Sequence, residues 1–361
     1  KVAGDFLMEM EKKGRLNEIG LSWLESLMEA RSHYLQAGEM DHARNVTVQL
    51  SDHFMRIGFY DGLRNLNFEL LQYEVHPTYM SWIARSYVDQ GDYTSAASWY
   101  QGCLEASSSS NQVNAVALQG LATIDLRKGK YETANEKFKE VLKIWQQIGS
   151  QREEATIWHQ LGIIDMENSN RLSAREKFEK ALKIKQQIGD KAGEAVTWNA
   201  LARIDAEQGQ YDAARENLNK TMMILQQTGD QLGEATALHN LASIYTDQGD
   251  YRSAYVNYEK AMKIRQRIGD RLGEAATFNN LGILSRKRGL PQEGIRLIAL
   301  GYIINESIGH KNTQLAFNNL TGMASQLNYS AESFGSMLKE VCESYSRDRG
   351  WSLIRAAFPE T

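Results

Sequence analysis

Histidine, cysteine and carboxylate side chains are the residues of this sequence that could carry out chemistry, but their spacing argues against it. The two cysteines, Cys103 and Cys342, form no Cys-x2-Cys pair, and no two histidines have the spacing that places metal ligands on one helix face. The sequence also lacks a phosphate loop of the form Gly-x4-Gly-Lys-Ser/Thr, and no strand precedes a dinucleotide fingerprint. We therefore expect no metal and no cofactor. The histidines are His33, His42, His53, His76, His159, His239 and His310.

A thiol nucleophile and a pair of acids are the two catalytic alternatives. Cys103 could act with a distant histidine, but it occupies a position at which other repeats place Ala181 and Ala261, and a free cysteine there is expected to pack as a small hydrophobe. Four glutamates recur at one interval near predicted helix starts, where a negative charge suits the helix dipole. We interpret both features as structural and predict that the chain is not an enzyme. The glutamates are Glu154, Glu194, Glu234 and Glu274.

Between Gly149 and Gly309 the chain repeats itself every 40 residues. The phrase Gly-Asp-x-x-Gly-Glu-Ala begins at Gly189, again at Gly229 and again at Gly269. Self-similarity at such a period indicates stacked supersecondary units, each of which buries its apolar face against its neighbours.

One unit, residues 154–193, shows what is repeated. Apolar residues at helical spacing predict one helix over 154–168 and a second over 172–187, with a break at Ser169 and Asn170. Gly189 suits the left-handed position that ends a helix, and Asp190 can cap the next one. Each unit is thus predicted to be helix, tight turn, helix and short loop.

The residue types within the unit resemble the tetratricopeptide repeat signature. The resemblance rests on Trp158, Leu161, Gly162, Ala174, Phe178 and Ala181. The long period also resembles the repeats of kinesin light chain and of bacterial signal-transduction ATPases with numerous domains. The period is longer than the usual 34 residues, and Asp125, Asp165 and Asp205 replace the tyrosine typical of the family. The resemblance implies an all-α fold, a right-handed α-solenoid of stacked helix-turn-helix repeats.

The repeats suggest a division into three parts. We expect an N-terminal helical cap with degenerate repeats over 1–77, a regular array over 78–325, and C-terminal capping helices over 326–361. Residues 1–20 are expected to be a leading helix or a linker. The repeat that starts at residue 274 is degenerate in sequence, because Gly294 and Gly301 stand where other repeats have alanines.

The resemblance also implies a binding surface, since the first helix of each tetratricopeptide unit lines a concave groove. Side-chain amides there could pair with the backbone of an extended peptide, and two arginines could bind a carboxylate or a phosphate. Two alternatives remain open: some asparagines bond the neighbouring helix instead, or binding uses an edge, the convex side or the caps. The predicted groove residues are Gln119, Thr123, His159, Gln160, Ile163, Asn199, Arg203, His239, Asn240, Ser243, Asn279, Asn280, Ile283, Arg286, Asn318 and Asn319. The large aromatic residues that precede them are expected to be core: Trp158, Trp198, Phe278 and Phe317.

Composition narrows the possible partners. A net charge of −4 with interspersed signs provides no basic field for nucleic acid. No run of 18 apolar residues predicts a membrane span. Two cysteines in a chain of this length suit a reducing cytoplasm. The chain begins at Lys1 without a methionine or a signal-peptide pattern, which we take to indicate a segment of a longer protein.

Together these features predict a non-enzymatic module that binds a protein or a peptide in its groove. We expect it to be the sensor or regulatory segment of a larger bacterial signalling protein with a covalently linked effector domain. One alternative is a constitutive adaptor scaffold. Another is a regulatory repeat domain that controls an attached ATPase or caspase-like protease.

Overall fold

The structure is a computed structural model that describes residues 22–56, 59–106, 110–308 and 313–359. These residues form 18 α-helices and no strand, which confirms the predicted all-α solenoid of consecutive helix pairs. The leading helix or linker expected over 1–20 lies outside the described residues. The chain divides into two compact units, Lys1–Ala174 and Arg175–Thr361, and each is described by itself.

The first unit contains eight complete helices among its described residues. They are α1 (Trp23–Gln36), α2 (Met40–Arg56), α3 (Tyr60–Leu71), α4 (Pro77–Gln90), α5 (Tyr93–Ala106), α6 (Asn111–Arg127), α7 (Tyr131–Ile148) and α8 (Gln151–Glu167). The next helix, α9 (Arg171–Gln187), begins in this unit and continues into the second. Helices α4 and α5 pack as a pair, and so do α6 and α7.

The remaining helices belong to the second unit. They are α10 (Lys191–Glu207), α11 (Tyr211–Thr228), α12 (Gln231–Gln248), α13 (Tyr251–Ile268), α14 (Arg271–Lys287), α15 (Pro291–Ser307), α16 (Thr313–Gln326), α17 (Ala331–Asp348) and α18 (Trp351–Ala357). Three helix pairs, α10–α11, α12–α13 and α14–α15, pack in sequence, and α10 and α14 both contact α12. The first helices of successive repeats therefore lie side by side.

The repeated motif Gly-Asp-x-x-Gly connects the end of one helix to the start of the next. Gly229 ends α11 with a φ of 70°, a left-handed conformation that glycine adopts without steric cost. The side chain of Asp230 then accepts a hydrogen bond from the backbone N–H of Gly233 at 2.9 Å and caps α12. Asp190 caps α10 in the same way, as the sequence predicted, and Asp270 caps α14.

The second glycine of the phrase makes room for a side chain of the preceding helix. A Cβ at Gly273 would lie 2.6 Å from Nε of Arg265, which is nearly fully buried. The Arg265 guanidinium donates to the carbonyl of Gly273 at 2.6 Å and to the hydroxyl of Thr277 at 2.5 Å. Lys185 makes the equivalent contacts two repeats earlier, so it too reaches across to the helix that follows its own.

Buried arginine and carboxylate groups hold the first and last helices of the described chain. In the first unit, the buried Arg31 of α1 donates to the hydroxyl of Thr47, to the carboxylate of Glu69 and to the carbonyl of Leu66, and so joins α1 to α2 and α3. In the second unit, α17 and α18 pack on α15. There, the carboxylate of Glu274 is fully buried and pairs with Arg349, which lies between α17 and α18.

Candidate functional site

The predicted polar residues of the second unit lie on the first helices of three successive repeats, α10, α12 and α14. Asn199 and Asn240 are half-buried, and Nδ2 of Asn240 donates to Oδ1 of Asn199 at 2.8 Å. This bond joins α12 to α10. The alternative that some asparagines bond the neighbouring helix therefore holds for this pair. Each of the two amides keeps one further polar atom that this bond does not use.

His239 on α12 is the centre of a second polar cluster. Its Nδ1 lies 3.3 Å from the Arg265 guanidinium, and its Nε2 lies 2.7 Å from the side-chain amide of Asn280 on α14. The ring packs edge-on against Tyr258 with a centroid distance of 5.2 Å. The Tyr258 hydroxyl in turn lies near the side chains of Thr246, Ser243 and Asn280. Three predicted residues, His239, Ser243 and Asn280, thus belong to one connected cluster.

The surroundings of His239 determine the protonation state of its ring. As the structure places the Asn280 carboxamide, its Nδ2 faces Nε2 of His239, so Nε2 accepts this hydrogen bond. Burial, and secondarily the charge of Arg265, lowers the pKa of His239 to about 4, so the ring is neutral at physiological pH. His239 consequently orients Asn280 and is not a free ligand-binding group.

We call Asn199, Asn240 and Asn280 the amide row. A cleft with a volume of about 520 Å³ lies between α14, α15 and α16. This is the size range of small-ligand sites in proteins. Its lining is mostly apolar and includes Asn279, Ile283, Arg286 and Asn319, all predicted from the sequence. The full lining is Leu272, Ala275, Ala276, Asn279, Ile283, Arg286, Ile298, Gly301, Tyr302, Asn305, Ala316, Asn319 and Met323.

Two polar side chains of the cleft have unused bonding capacity. Arg286 is exposed, and its guanidinium contacts the sulfur of Met323 at 3.0 Å; among the described residues it has no carboxylate partner. Asn305 is half-buried, and its Oδ1 is buried without a hydrogen-bond partner in the described part of the chain. A buried carboxamide oxygen without a donor costs about 1–3 kcal/mol, so a rotation that turned this oxygen towards the cleft and a ligand N–H would be favoured.

The repeat position of Asn305 explains why a cleft opens here. Successive repeats place Lys185, Leu225, Arg265 and Asn305 at this position. In the three earlier repeats a long cation or an apolar side chain fills the space next to the following helix. Asn305 is shorter than the two cations, and its Oδ1 has no hydrogen bond to any described residue of α16. Space therefore remains between α15 and α16.

The other predicted groove residues of the second unit are exposed. Arg203 pairs through Nε with Glu207 at 3.0 Å, so its guanidinium already has a carboxylate partner within its own helix. Asn318 is exposed on α16, next to the cleft residue Asn319.

The predicted residues of the first unit lie on α6 and α8. Gln119, Thr123, Gln160 and Ile163 are half-buried, and the Thr123 hydroxyl donates to the carbonyl of Gln119 at 2.9 Å. His159 is 8% exposed and so lies largely inside the unit. These residues are not part of the cleft.

Sequence reasoning missed several cleft residues, among them Asn305 and Tyr302 on α15 and Met323 on α16. They lie outside the first-helix positions from which the groove was predicted. Aligning the repeats would have found Asn305, because an amide there replaces Lys185 and Arg265.

The prediction that the large aromatic residues are core is correct for Phe278, and Trp158 packs against a buried hydrophobic cluster of the first unit, but Trp198 and Phe317 belong to no buried cluster of the described residues. Phe278 is fully buried, whereas Trp158, Trp198 and Phe317 are half-buried. Trp198 lies under the ammonium group of Lys220, which is 4.5 Å from the ring centroid. These rings pack at the margin of the core, where one face can meet a cation or water.

Cys103 has the structural role that its repeat position predicts. It is fully buried beside Ala96 and Tyr100, and its thiol donates to the carbonyl of Pro77 at 3.4 Å. Burial raises the pKa of the Cys103 thiol to about 12, which disfavours the thiolate that a nucleophile requires.

The part of the chain that the structure describes contains no group of three or more His, Cys, Asp or Glu side chains that could hold a metal ion. None of its helices is long and apolar enough to cross a membrane.

The family comparison agrees with the fold. The tetratricopeptide repeat model matches residues 76–147, 153–227 and 233–297, which together are more than half of the chain. The chain therefore belongs to the tetratricopeptide repeat family. This is a fold that typically acts as a binding scaffold rather than as a catalyst. A search of curated proteins found no match.

Solved structures show the same fold. The chain is similar to a signal transduction ATPase with numerous domains from Pyrococcus horikoshii that carries a tetratricopeptide repeat sensor, with 16% identity and a TM-score of 0.66 over 98% of this chain and 54% of that one. A Rap protein complexed with competence and sporulation factor shares 13% identity and a TM-score of 0.56 over 84% of this chain and 98% of that one. Repeats of a putative kinesin light chain from Podosopora anserina share 20% identity and a TM-score of 0.44 over 54% of this chain and 99% of that one. At these identities the likeness to the first two structures shows the fold alone, and no conclusion is drawn from the third.

Proposed function

We propose that this chain is a non-enzymatic module that binds a peptide or a protein segment, and that the ligand occupies the cleft between α14, α15 and α16 and continues along the amide row of α10 and α12. The observation that carries the proposal is the cleft itself. It combines an apolar lining with several side-chain amides and with an exposed arginine that has no carboxylate partner among the described residues. Convergent polar groups in an apolar cleft are the usual features of a ligand site.

The amide row supports this assignment because its members are already held in place. Asn199 and Asn240 are bonded to each other, and His239 orients Asn280. Side chains that are ordered before binding lose little conformational entropy when a ligand arrives. The Rap protein of the same fold, which was solved with competence and sporulation factor, supports the proposal by analogy.

We further propose that the module is a cytoplasmic sensor or regulatory segment of a larger signalling protein with a linked effector domain. Support comes from the Pyrococcus horikoshii ATPase, because nearly all of this chain matches about half of that protein, which carries a repeat sensor. A constitutive adaptor scaffold, or a repeat domain that controls a caspase-like protease, remains the alternative. The reading frame around the gene separates these possibilities, since an adaptor needs no effector domain.

Binding can be tested by selecting peptides from a phage-displayed library on the immobilised chain. Selected peptides are then measured by fluorescence anisotropy on the wild type, on the double variant Asn279→Ala/Arg286→Met, and on Arg252→Met, an exposed arginine of α13 outside the cleft. We expect the double variant to weaken binding at least about tenfold and Arg252→Met to have no effect. Failure to select any peptide, or equal binding to all three proteins, would contradict the proposal.

A further inference from the structure

We infer that the cleft recognises a peptide segment that presents three groups: a carboxylate to Arg286, a backbone N–H to Asn305, and an aliphatic side chain to the apolar wall. This inference rests on the proposed function, because it defines the ligand of the same site.

The carboxylate follows from the charges in and around the cleft. Among the described residues that line it, Arg286 is the only charged side chain, and none is an aspartate or a glutamate. Three other arginines of the second unit already have a carboxylate partner: Arg203 pairs with Glu207, Arg296 with Glu340 and Arg349 with Glu274. A guanidinium beside an apolar surface binds a carboxylate in a two-point geometry that water does not reproduce.

The N–H group follows from Asn305. No described residue donates a hydrogen bond to its Oδ1, so the carboxamide can turn towards the cleft without breaking one at that atom. A ligand that supplies an N–H donor provides the bond that the fold leaves unmade.

The aliphatic group of the ligand is inferred from the exposed apolar side chains that line the cleft. Leu272 is 51% exposed and Ile283 is 37% exposed, although both lie on α14 within the cleft. The lining also contains Ala275, Gly301 and Ala316, which are small and leave space that a branched aliphatic side chain can fill. Removing these surfaces from water favours such a ligand group.

Four small probes separate these contributions. They are N-acetyl-alanyl-leucine with a free α-carboxylate, the same dipeptide as its C-terminal amide, an ester analogue in which oxygen replaces the leucine N–H, and N-acetyl-leucyl-aspartic acid amide, whose only carboxylate is a side chain. Binding is followed by the methyl NMR signals of Leu272, Ile283 and Met323. The acid is expected to bind about tenfold more tightly than its amide and than the ester. The aspartyl probe shows whether a side-chain carboxylate replaces the α-carboxylate.

Variants assign each difference to a residue. Arg286→Met should abolish the difference between acid and amide, and Asn305→Leu should abolish the difference between dipeptide and ester. Asn305→Leu should also leave thermal stability unchanged or raise it, because Leu225 fills the same repeat position. Arg252→Met is the charge control and should bind all probes as the wild type does.

The outcomes separate the inference from the proposed function. Equal titration of the acid and its amide, with cleft methyl signals shifting for both, would overturn the inference and support peptide binding. If library peptides bind while no probe moves the cleft signals, the ligand chemistry assigned to the cleft is wrong. If the library yields no binder and no probe shifts a signal, both proposals fail.

Discussion

Asn240 on α12 donates a hydrogen bond to Asn199 on α10 across 2.8 Å, and so joins two successive repeats through their side chains. The two residues are 41 positions apart, one more than the repeat period, so each amide pairs with a neighbour that does not occupy the identical repeat position. The face on which a ligand is proposed to lie is therefore also part of the contact between repeats.

A double-mutant cycle at this pair measures that contact. Asn199→Ala and Asn240→Ala should each lower the free energy of unfolding by about 1 kcal/mol, with a coupling of about 0.5–1.5 kcal/mol, because both variants remove the same bond. Chemical denaturation of the single and double variants supplies the values. Strict additivity would show that the bond makes no net contribution.

The pH dependence of stability should report on His239. Its pKa of about 4 in the folded chain lies below the unfolded value near 6.5, so the unfolded state binds more protons between these values. The stabilisation is present above pH 6.5 and is lost as the pH falls towards 4, by about 3 kcal/mol in total. The free energy of unfolding should depend less on pH across this range for His239→Gln than for the wild type, as measured by chemical denaturation. Parallel pH profiles for the two proteins would contradict the assignment.

Ser169 and Gly209 stand at equivalent repeat positions and form a matched test of backbone strain. Both have a positive φ, 61° at Ser169 and 73° at Gly209. This conformation costs a non-glycine residue about 1 kcal/mol. Ser169→Gly should therefore raise the free energy of unfolding by about that amount, and Gly209→Ser should lower it by a similar amount. Thermal unfolding of both variants tests the pair, and shifts in the same direction would refute the explanation.

Gly301 allows α15 to approach α14 closely. A Cβ at this position would lie 2.7 Å from the backbone carbonyl oxygen of Ala275, which cannot move aside as a flexible side chain can. Gly301→Ala should destabilise the fold by about 1–3 kcal/mol. Gly335→Ala is the matched control on α17, where a Cβ meets nothing within 4 Å, and it should stabilise the fold by about 0.5–1 kcal/mol. A stable Gly301→Ala variant with an unchanged cleft would show that the approach is not required.

The close approach at Gly301 changes the interpretation of the repeat that starts at residue 274. Its sequence suggests a degenerate repeat, because glycines replace alanines at 294 and 301. A Cβ at Gly294 would lie 2.6 Å from the carbonyl oxygen of Gly282, so both glycines are required by close helix packing. The sequence shows that glycines replace alanines, but the reason is the short distance between the backbones of α14 and α15.

The sequence by itself determined the repeat, the helices and their caps. These features are local: Asp230 accepts its hydrogen bond from the N–H of a residue three positions further on, so the spacing of Asp and Gly is sufficient to predict the cap. The same holds for the left-handed glycines that end the helices.

Only the tertiary structure decided which amides pair and where the cleft lies. Asn240 meets Asn199, and His239 meets Asn280, across separations of 41 residues. The cleft depends on how far α16 stands from α15, and it unites residues from 272 to 323. Such contacts are set by the packing of whole helices, for which a repeat pattern gives the neighbours but not the distances between them.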